Sequence, residues 1–304
     1  MLSQDLTRYV NLHRSLGFKF RTQRLLLRNF VAFAEARGDE FMQIRTVLDW
    51  AALAPSPAQR RNRLLTARRF ALALQAENWR HEIPAADAMG HENFKRRIVH
   101  VYRSDEIVRL MDGAAQLPPA GSIRPVMYST LFGLLAVTGM RISEALALRL
   151  EDVTGDGLIV RESKFRKSRL LPLHDSTSQA LNRYLAVRLR IGTFDAALFV
   201  SASGKAPSYE TVAQTFRKLA KSIGLRGGPD RPKPRLHDLR HTMAVRSLEL
   251  CPCDQKQVSR HILALSTYLG HAHVADTYWY LQTTPTLMRQ IADVGEALHQ
   301  EHAS

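Results

Sequence analysis

The chain has 304 residues, enough for two domains, and its 45% hydrophobic and 23% charged content excludes a disordered polymer. A formal net charge of +15, from 43 Lys and Arg against 28 Asp and Glu, is too basic for an ordinary small-molecule enzyme. It points to a polyanion, of which nucleic acid is the commonest. Cys251 and Cys253, one proline apart, exclude a disulfide framework. With no basic-then-apolar leader and no apolar run near about 18 residues, we expect no membrane partner and a cytoplasmic, nucleoid-associated protein.

Residues 1–83 read as helices joined by short turns. Leu6, Tyr9, Val10 and Leu12 begin an apolar stripe that stops near Gly17; Leu25, Leu26, Phe30, Phe33 and Ala34 make a second, ending around Gly38. A third helix runs from Ile44 to Leu53. Pro55-Ser56-Pro57 then breaks the chain, with Ser56 as N-cap and Pro57 in the first helical position of a fourth helix carrying Leu64, Leu65, Phe70, Leu72 and Leu74. Arg60, Arg61, Arg63, Arg68 and Arg69 recur along it. Few acidic residues at i±4 pair with them, so we favour DNA phosphates over a solvated face as their partner. Residues 84–100 weaken in pattern and carry Lys95, Arg96 and Arg97; they read as an interdomain linker lying against the DNA backbone.

The remainder, 101–304, mixes helices with a small hairpin. Ser104-Asp105-Glu106 caps a helix reaching Met111, and Arg124 to Val137 reads as a buried helix through Val126, Leu131, Leu134, Leu135 and Val137. Thr138-Gly139 interrupts it, and Met140 to Leu146 starts a new helical segment. Gly155-Asp156-Gly157 turns into a strand over Leu158 to Arg161; Phe165-Arg166-Lys167 is the next turn and Arg169 to Leu173 the returning strand. Helices follow at about 176–190, 208–223 and 257–268. Leu287, Ile291, Val294 and Leu298 predict a C-terminal amphipathic helix seeking a groove, its own or a neighbour's. The fold class is mainly α with a small antiparallel β-sheet.

One stretch packs chemistry most densely. After Pro232-Lys233-Pro234, a helix starting near Leu236 or His237 puts His237, Arg240 and His241 on one face. A cation and a proton-transfer group pointed together suit a phosphate that is held and then cleaved. Asp238 reads as a cap. Cys251, Cys253, His241 and His261 invite comparison with a metal site, but without Cys-x-x-Cys spacing the cysteines read as small loop residues, and we expect no metal or cofactor.

Four separated pieces complete the pattern: Thr138-Gly139-Met140-Arg141-Ile142-Ser143-Glu144, Lys164 on the hairpin, His237-x-x-Arg240, and Leu269-Gly270-His271 nine residues before Tyr280. In this order and spacing they resemble the tyrosine recombinase (phage integrase) family over about residues 100–290. The helical part before them is similar to the family's SAM-like core-binding domain. The resemblance implies a helical core-binding domain and a mixed α/β catalytic domain, together forming a C-shaped clamp on double-stranded DNA. It implies Tyr280 as nucleophile, forming a 3′-phosphotyrosine and a free 5′-hydroxyl. His237 would assist proton transfer, Arg141 and Arg240 would clamp the non-bridging oxygens, His271 would hydrogen-bond the same phosphate, and Lys164 would protonate the leaving oxygen. Four protomers would act on two core sites through a Holliday junction, without metal or ATP and with or without sister recombinases.

Each position has a rival. Arg141 has Glu144 as an i+3 partner that orients it. Lys167 competes with Lys164, with hairpin register deciding and Lys164 favoured. Tyr278 competes with Tyr280, which the offset from His271 selects; Tyr278 and Trp279 then read as packing residues, and His241, His261 and His273 as structural or DNA-facing. The wording around Ser266 to His271 and Asp276 to Tyr280 looks like recombinases of transposon-like mobile elements. The interval from His237 to His271, which includes Cys251-Pro252-Cys253, is longer than in compact members. Two other functions stay open: type IB topoisomerase-like relaxation, and a catalytically silent DNA-binding factor.

Overall fold

The computed structural model describes all residues except 91–98, 162–167, 194, 226, 229–231, 252–254, 272 and 282–304. The chain forms two compact units, Met1–Arg96 and Arg97–Ser304. The first holds α1 (Leu2–Ser15), α2 (Arg21–Glu35), α3 (Ile44–Ala52) and α4 (Pro57–Gln75) around Leu27, Phe30, Trp50, Leu64 and Phe70. Ser56 Oγ accepts the Gln59 amide at 3.3 Å and Pro57 opens α4, so the cap and first residue lie where the sequence put them. Leu12, Leu25 and Leu72, assigned to apolar stripes, are instead exposed at 56%, 67% and 45%. Each sits at the margin of its stripe, where helical rotation carries it off the buried arc.

In the second unit the N-cap of α5 (Ser104–Ala115) lies one residue earlier than expected. Arg103 is the N-cap, and Glu106 Oε2 accepts the Arg103 amide at 2.9 Å. Ser104 is therefore inside the helix, which runs past Met111. α6 (Ile123–Thr138) is the central buried helix, although Val137 is exposed, because the last turn presents it away from the core. α7 (Ile142–Ala145) is a single turn. Strands β1 (Val153–Thr154), β2 (Gly157–Val160) and β3 (Arg169–Leu171) form an antiparallel sheet in the order β1-β2-β3. β1 is too short to show alternation and was not expected. Gly157, at φ 134°, is required: a Cβ there would lie 2.2 Å from the Leu171 carbonyl oxygen.

α8 (Asp175–Arg188) and α9 (Tyr209–Ser222) complete the main core of Leu131, Phe132, Leu158, Tyr184, Phe199, Phe216 and Leu239. α10 (Leu236–Glu249), α11 (Gln255–Leu269) and α12 (Ala275–Leu281) enclose a smaller one through Ala244, Val245, Leu248, Ile262, Leu265, Leu269 and Tyr280. α10 serves both cores. Val99 and His100, placed in the linker by sequence, are built into this unit; His100 is 1% exposed and its ring nitrogens face Glu106 Oε2 and the Pro232 carbonyl. The tip of the hairpin and the stripe of Leu287, Ile291, Val294 and Leu298 lie outside the described residues. No described helix is long and apolar enough to cross a membrane.

Candidate active site

Helix ends build the site. α6 stops at Thr138 because Gly139 takes the left-handed conformation, φ 59°. The chain restarts at Arg141, the N-cap of α7, where Glu144 accepts the Arg141 amide on Oε2 at 2.9 Å and its guanidinium on Oε1 at 2.7 Å. α10 opens at Leu236, and the fully buried Asp238 accepts the Arg235 amide at 2.9 Å, capping the helix as expected. That fixes His237 in the first turn and Arg240 in the next. α11 ends at Leu269, again before a left-handed glycine, Gly270 at φ 67°.

The carbonyls freed at these ends meet the arginines. Arg240, 2% exposed, donates through Nη1 to the Gly139 carbonyl and through Nη2 to the Leu269 carbonyl, both at 2.8 Å. Arg141 donates through Nη2 to the Gly270 carbonyl at 3.2 Å. Carbonyls at helix C-termini carry partial negative charge, so they hold two like-charged guanidiniums close together. Burial, and then the Arg141 charge, pull the pKa of Arg240 down to about 10, which leaves it protonated at neutral pH.

Tyr280 is 3% exposed, and its hydroxyl lies within reach of the Arg240 charge. Burial raises its pKa, and Arg240 works against that rise. The His271 ring stacks on Tyr280 at 6.0 Å between centroids, and its Nδ1 lies 2.8 Å from Oγ1 of the fully buried Thr277. Two residues before Tyr280, Tyr278 is 53% exposed, so it faces solvent rather than packing.

His237 keeps an exposed face, so its desolvation is only partial; that loss, followed by the Arg240 charge, lowers its pKa. His241 fills the space between: its ring lies 4.7 Å from that of His237, 5.0 Å from Trp279 and 5.4 Å from Tyr280. Burial first, then the His237 charge, drop its pKa to about 3, and its buried Nδ1 has no hydrogen-bond partner. The structure thus places a neutral imidazole against Tyr280.

Arg141, His237, Arg240, His271 and Tyr280 come together; Lys164 and its rival Lys167 lie outside the described residues, as do Lys95, Arg96 and Arg97. On α4, Arg60, Arg63 and Arg68 each donate to a backbone carbonyl, of Ala54, Trp50 and Pro84, while Arg61 is half-buried and Arg69 exposed. His261 Nε2 is 3.0 Å from Ser247 Oγ, and Cys253 is outside the described residues. Among the described residues no three His, Cys, Asp or Glu side chains are grouped to share an ion. Sequence reasoning passed over Arg169, which grips Glu144 from β3. The available signal was an arginine two positions before the buried Leu171, on the inward side of a strand.

A sequence model described as the phage integrase family matches residues 100–286. The chain belongs to that family. Among its relatives, the putative integrase/recombinase y4rB of Sinorhizobium fredii is 39% identical over 298 residues, 94% of each chain. The solved Tn1549 transposon integrase in complex with transposon right end DNA aligns with 96% of this chain and 99% of that one, at a TM-score of 0.65 and 16% identity. A lambda integrase tetramer bound to a Holliday junction aligns with 92% of this chain and 76% of that one, at a TM-score of 0.64 and 20% identity. At those identities the solved structures speak for the fold. As a phage integrase family member, the protein is a tyrosine-type DNA strand transferase.

Proposed function

We propose that the protein is the site-specific recombinase of a mobile element, cutting and rejoining DNA through Tyr280. The phenolic oxygen attacks the scissile phosphorus, the bond from phosphorus to the 5′-oxygen breaks, and a 3′-phosphotyrosyl ester remains. His237, kept neutral at neutral pH, takes the phenol's proton, and Lys164 supplies one to the departing 5′-oxygen. Arg141, Arg240 and His271 hold the non-bridging oxygens and stabilise the charge of the pentavalent state. A 5′-hydroxyl from a partner strand reverses the step, so the ester's energy is kept and ATP is not needed.

The observation that carries this reading is the buried Tyr280, stacked on His271, beside an arginine that two helix-end carbonyls hold in place. Residues 1–83 would serve as core-binding domain and 101–304, joined by Val99 and His100, as catalytic domain, with the rest of 84–100 as linker and four protomers on two core sites. The likeness to the lambda integrase tetramer supports that assembly, the likeness to y4rB supports an integrase or recombinase activity, and the likeness to the Tn1549 transposon integrase supports a mobile-element role.

A nicked suicide DNA substrate tests the chemistry. A covalent protein–DNA adduct should form in chelator, and Tyr280→Phe should abolish it. An adduct that survives in Tyr280→Phe and vanishes in Tyr278→Phe would overturn the assignment.

A further inference from the structure

Arg169 reaches the site from β3 with all three of its guanidinium nitrogens engaged. Nε donates to the Tyr268 carbonyl at 2.8 Å, Nη2 to Glu144 Oε2 at 2.9 Å and Nη1 to Glu144 Oε1 at 3.3 Å. Its side chain is 12% exposed and that of Glu144 6%, so the pair is built inward and is poorly placed to meet DNA itself. Gly270 permits the approach: a Cβ there would lie 2.8 Å from Arg169 Nη1 and 3.1 Å from Cζ. The carbonyl of the same glycine accepts from Arg141.

The charges explain why the second guanidinium is needed. Glu144 bonds both the amide and the guanidinium of Arg141, and a carboxylate with that one partner would neutralise the charge meant for a phosphate. Burial alone would raise the Glu144 pKa, but Arg169, the Arg141 amide and the Arg141 side chain more than offset it, and the carboxylate stays ionised. With Arg169 bound to the same two oxygens, two cations share one anion, and Arg141 retains attraction for a second.

We propose that Arg169 is a positioning residue for strand transfer, its planar fork holding Glu144 and the Tyr268 carbonyl together so that Arg141 and the Gly270-His271 turn stay in register. This rests on the strand-transfer reading above. It also ties the sheet that leads to Lys164 to the helix end that leads to His271. A lysine cannot replace the fork, because one ammonium on a flexible stem does not span both acceptors in fixed geometry.

The test is the single-turnover rate of adduct formation on the suicide substrate at saturating DNA, with DNA affinity and the urea midpoint measured alongside. Arg169→Gln should slow the rate by about 10²-fold, the scale of a small misplacement of a clamping group, while DNA affinity changes less than about threefold. Arg169→Lys should remain at least about 10-fold slow, as the loss of fork geometry requires. Adding Glu144→Gln to Arg169→Gln should recover part of the rate, since no unbalanced carboxylate then captures Arg141. Full activity in Arg169→Lys, or a double variant slower than either single one, would overturn the proposal while leaving strand transfer intact. Wild-type protein that forms no adduct would overturn both.

Discussion

The arginines of α4 and those around Tyr280 use the same acceptors in opposite settings. Arg60, Arg63 and Arg68 each give a donor to a backbone carbonyl, at 2.9, 3.0 and 3.3 Å, and remain exposed or half-buried, Arg63 also resting 5.0 Å over the Trp50 ring. Arg240 gives donors to two carbonyls and is 2% exposed. An exposed guanidinium exchanges protein acceptors for water at little cost, so the first group is free to leave its carbonyls for an anionic partner. A buried one has no such exchange, and its orientation is set before DNA arrives. The difference teaches that burial, more than hydrogen-bond count, separates a general electrostatic surface from a preorganised clamp.

The strongest way to break this comparison is Arg240→Lys. One ammonium cannot satisfy both carbonyls, so adduct formation should fall by about 10²–10³-fold. Leaving one buried carbonyl unpaired should also cost about 1–3 kcal/mol of unfolding free energy, read as a lower urea midpoint. Arg63→Lys should change neither by much. If Arg240→Lys cleaves like wild type, the fixed fork is not what the site depends on.

A middle-sized effect concerns His241, whose pKa sits near 3 inside and near 6.5 in the unfolded chain. Above about pH 6.5 both forms are neutral and the residue adds no pH dependence. As pH falls from there toward 3, the unfolded chain binds a proton that the folded one refuses. Stability should then decline by roughly 1 kcal/mol per pH unit from this residue. Urea midpoints at pH 7 and pH 5 should show the decline, and His241→Phe, which keeps a ring against Trp279, should flatten it. An unchanged slope would mean that His241 is hydrated and titrates normally.

The smallest effects belong to α4. Arg61→Gln and Arg69→Gln should each leave the single-turnover rate at saturating DNA unchanged and reduce the log-log salt slope of binding by about 1. A loss of cleavage rate at saturation would place these residues with the clamp and erase the contrast.

Much of this arrangement was legible in the sequence because the chemistry depends on residue types at helix junctions. Gly139 marks the break after α6 and Asp238 a cap, and of the two tyrosines that compete, the structure buries Tyr280 and exposes Tyr278. The helices of the first unit followed from apolar spacing, with errors at stripe margins such as Leu12, Leu25 and Leu72, where periodicity does not say how wide the buried arc is. What was not legible is whatever depends on contacts between distant segments. Arg169 reads locally as one more cation on a basic hairpin; only the 25-residue separation closed by its bond to Glu144 shows its direction. His241 reads as a neighbour of the motif, and its contact with Tyr280 requires α12 to fold back. The inclusion of Val99 and His100 in the second unit was hidden for the same reason: His100 finds its partners at Glu106 and at Pro232, 132 residues away.

The anchoring of Arg240 has a consequence for how such a site is mapped by mutagenesis. Its two fixed partners are main-chain oxygens, at Gly139 and Leu269, and Arg141 leans on a third at Gly270. Side-chain truncation deletes none of these atoms, so an alanine scan will credit the arginines and pass over what aims them. The informative replacements are in the backbone itself: an ester in place of the amide following Gly139 or Leu269 would weaken the acceptor carbonyl without altering any side chain.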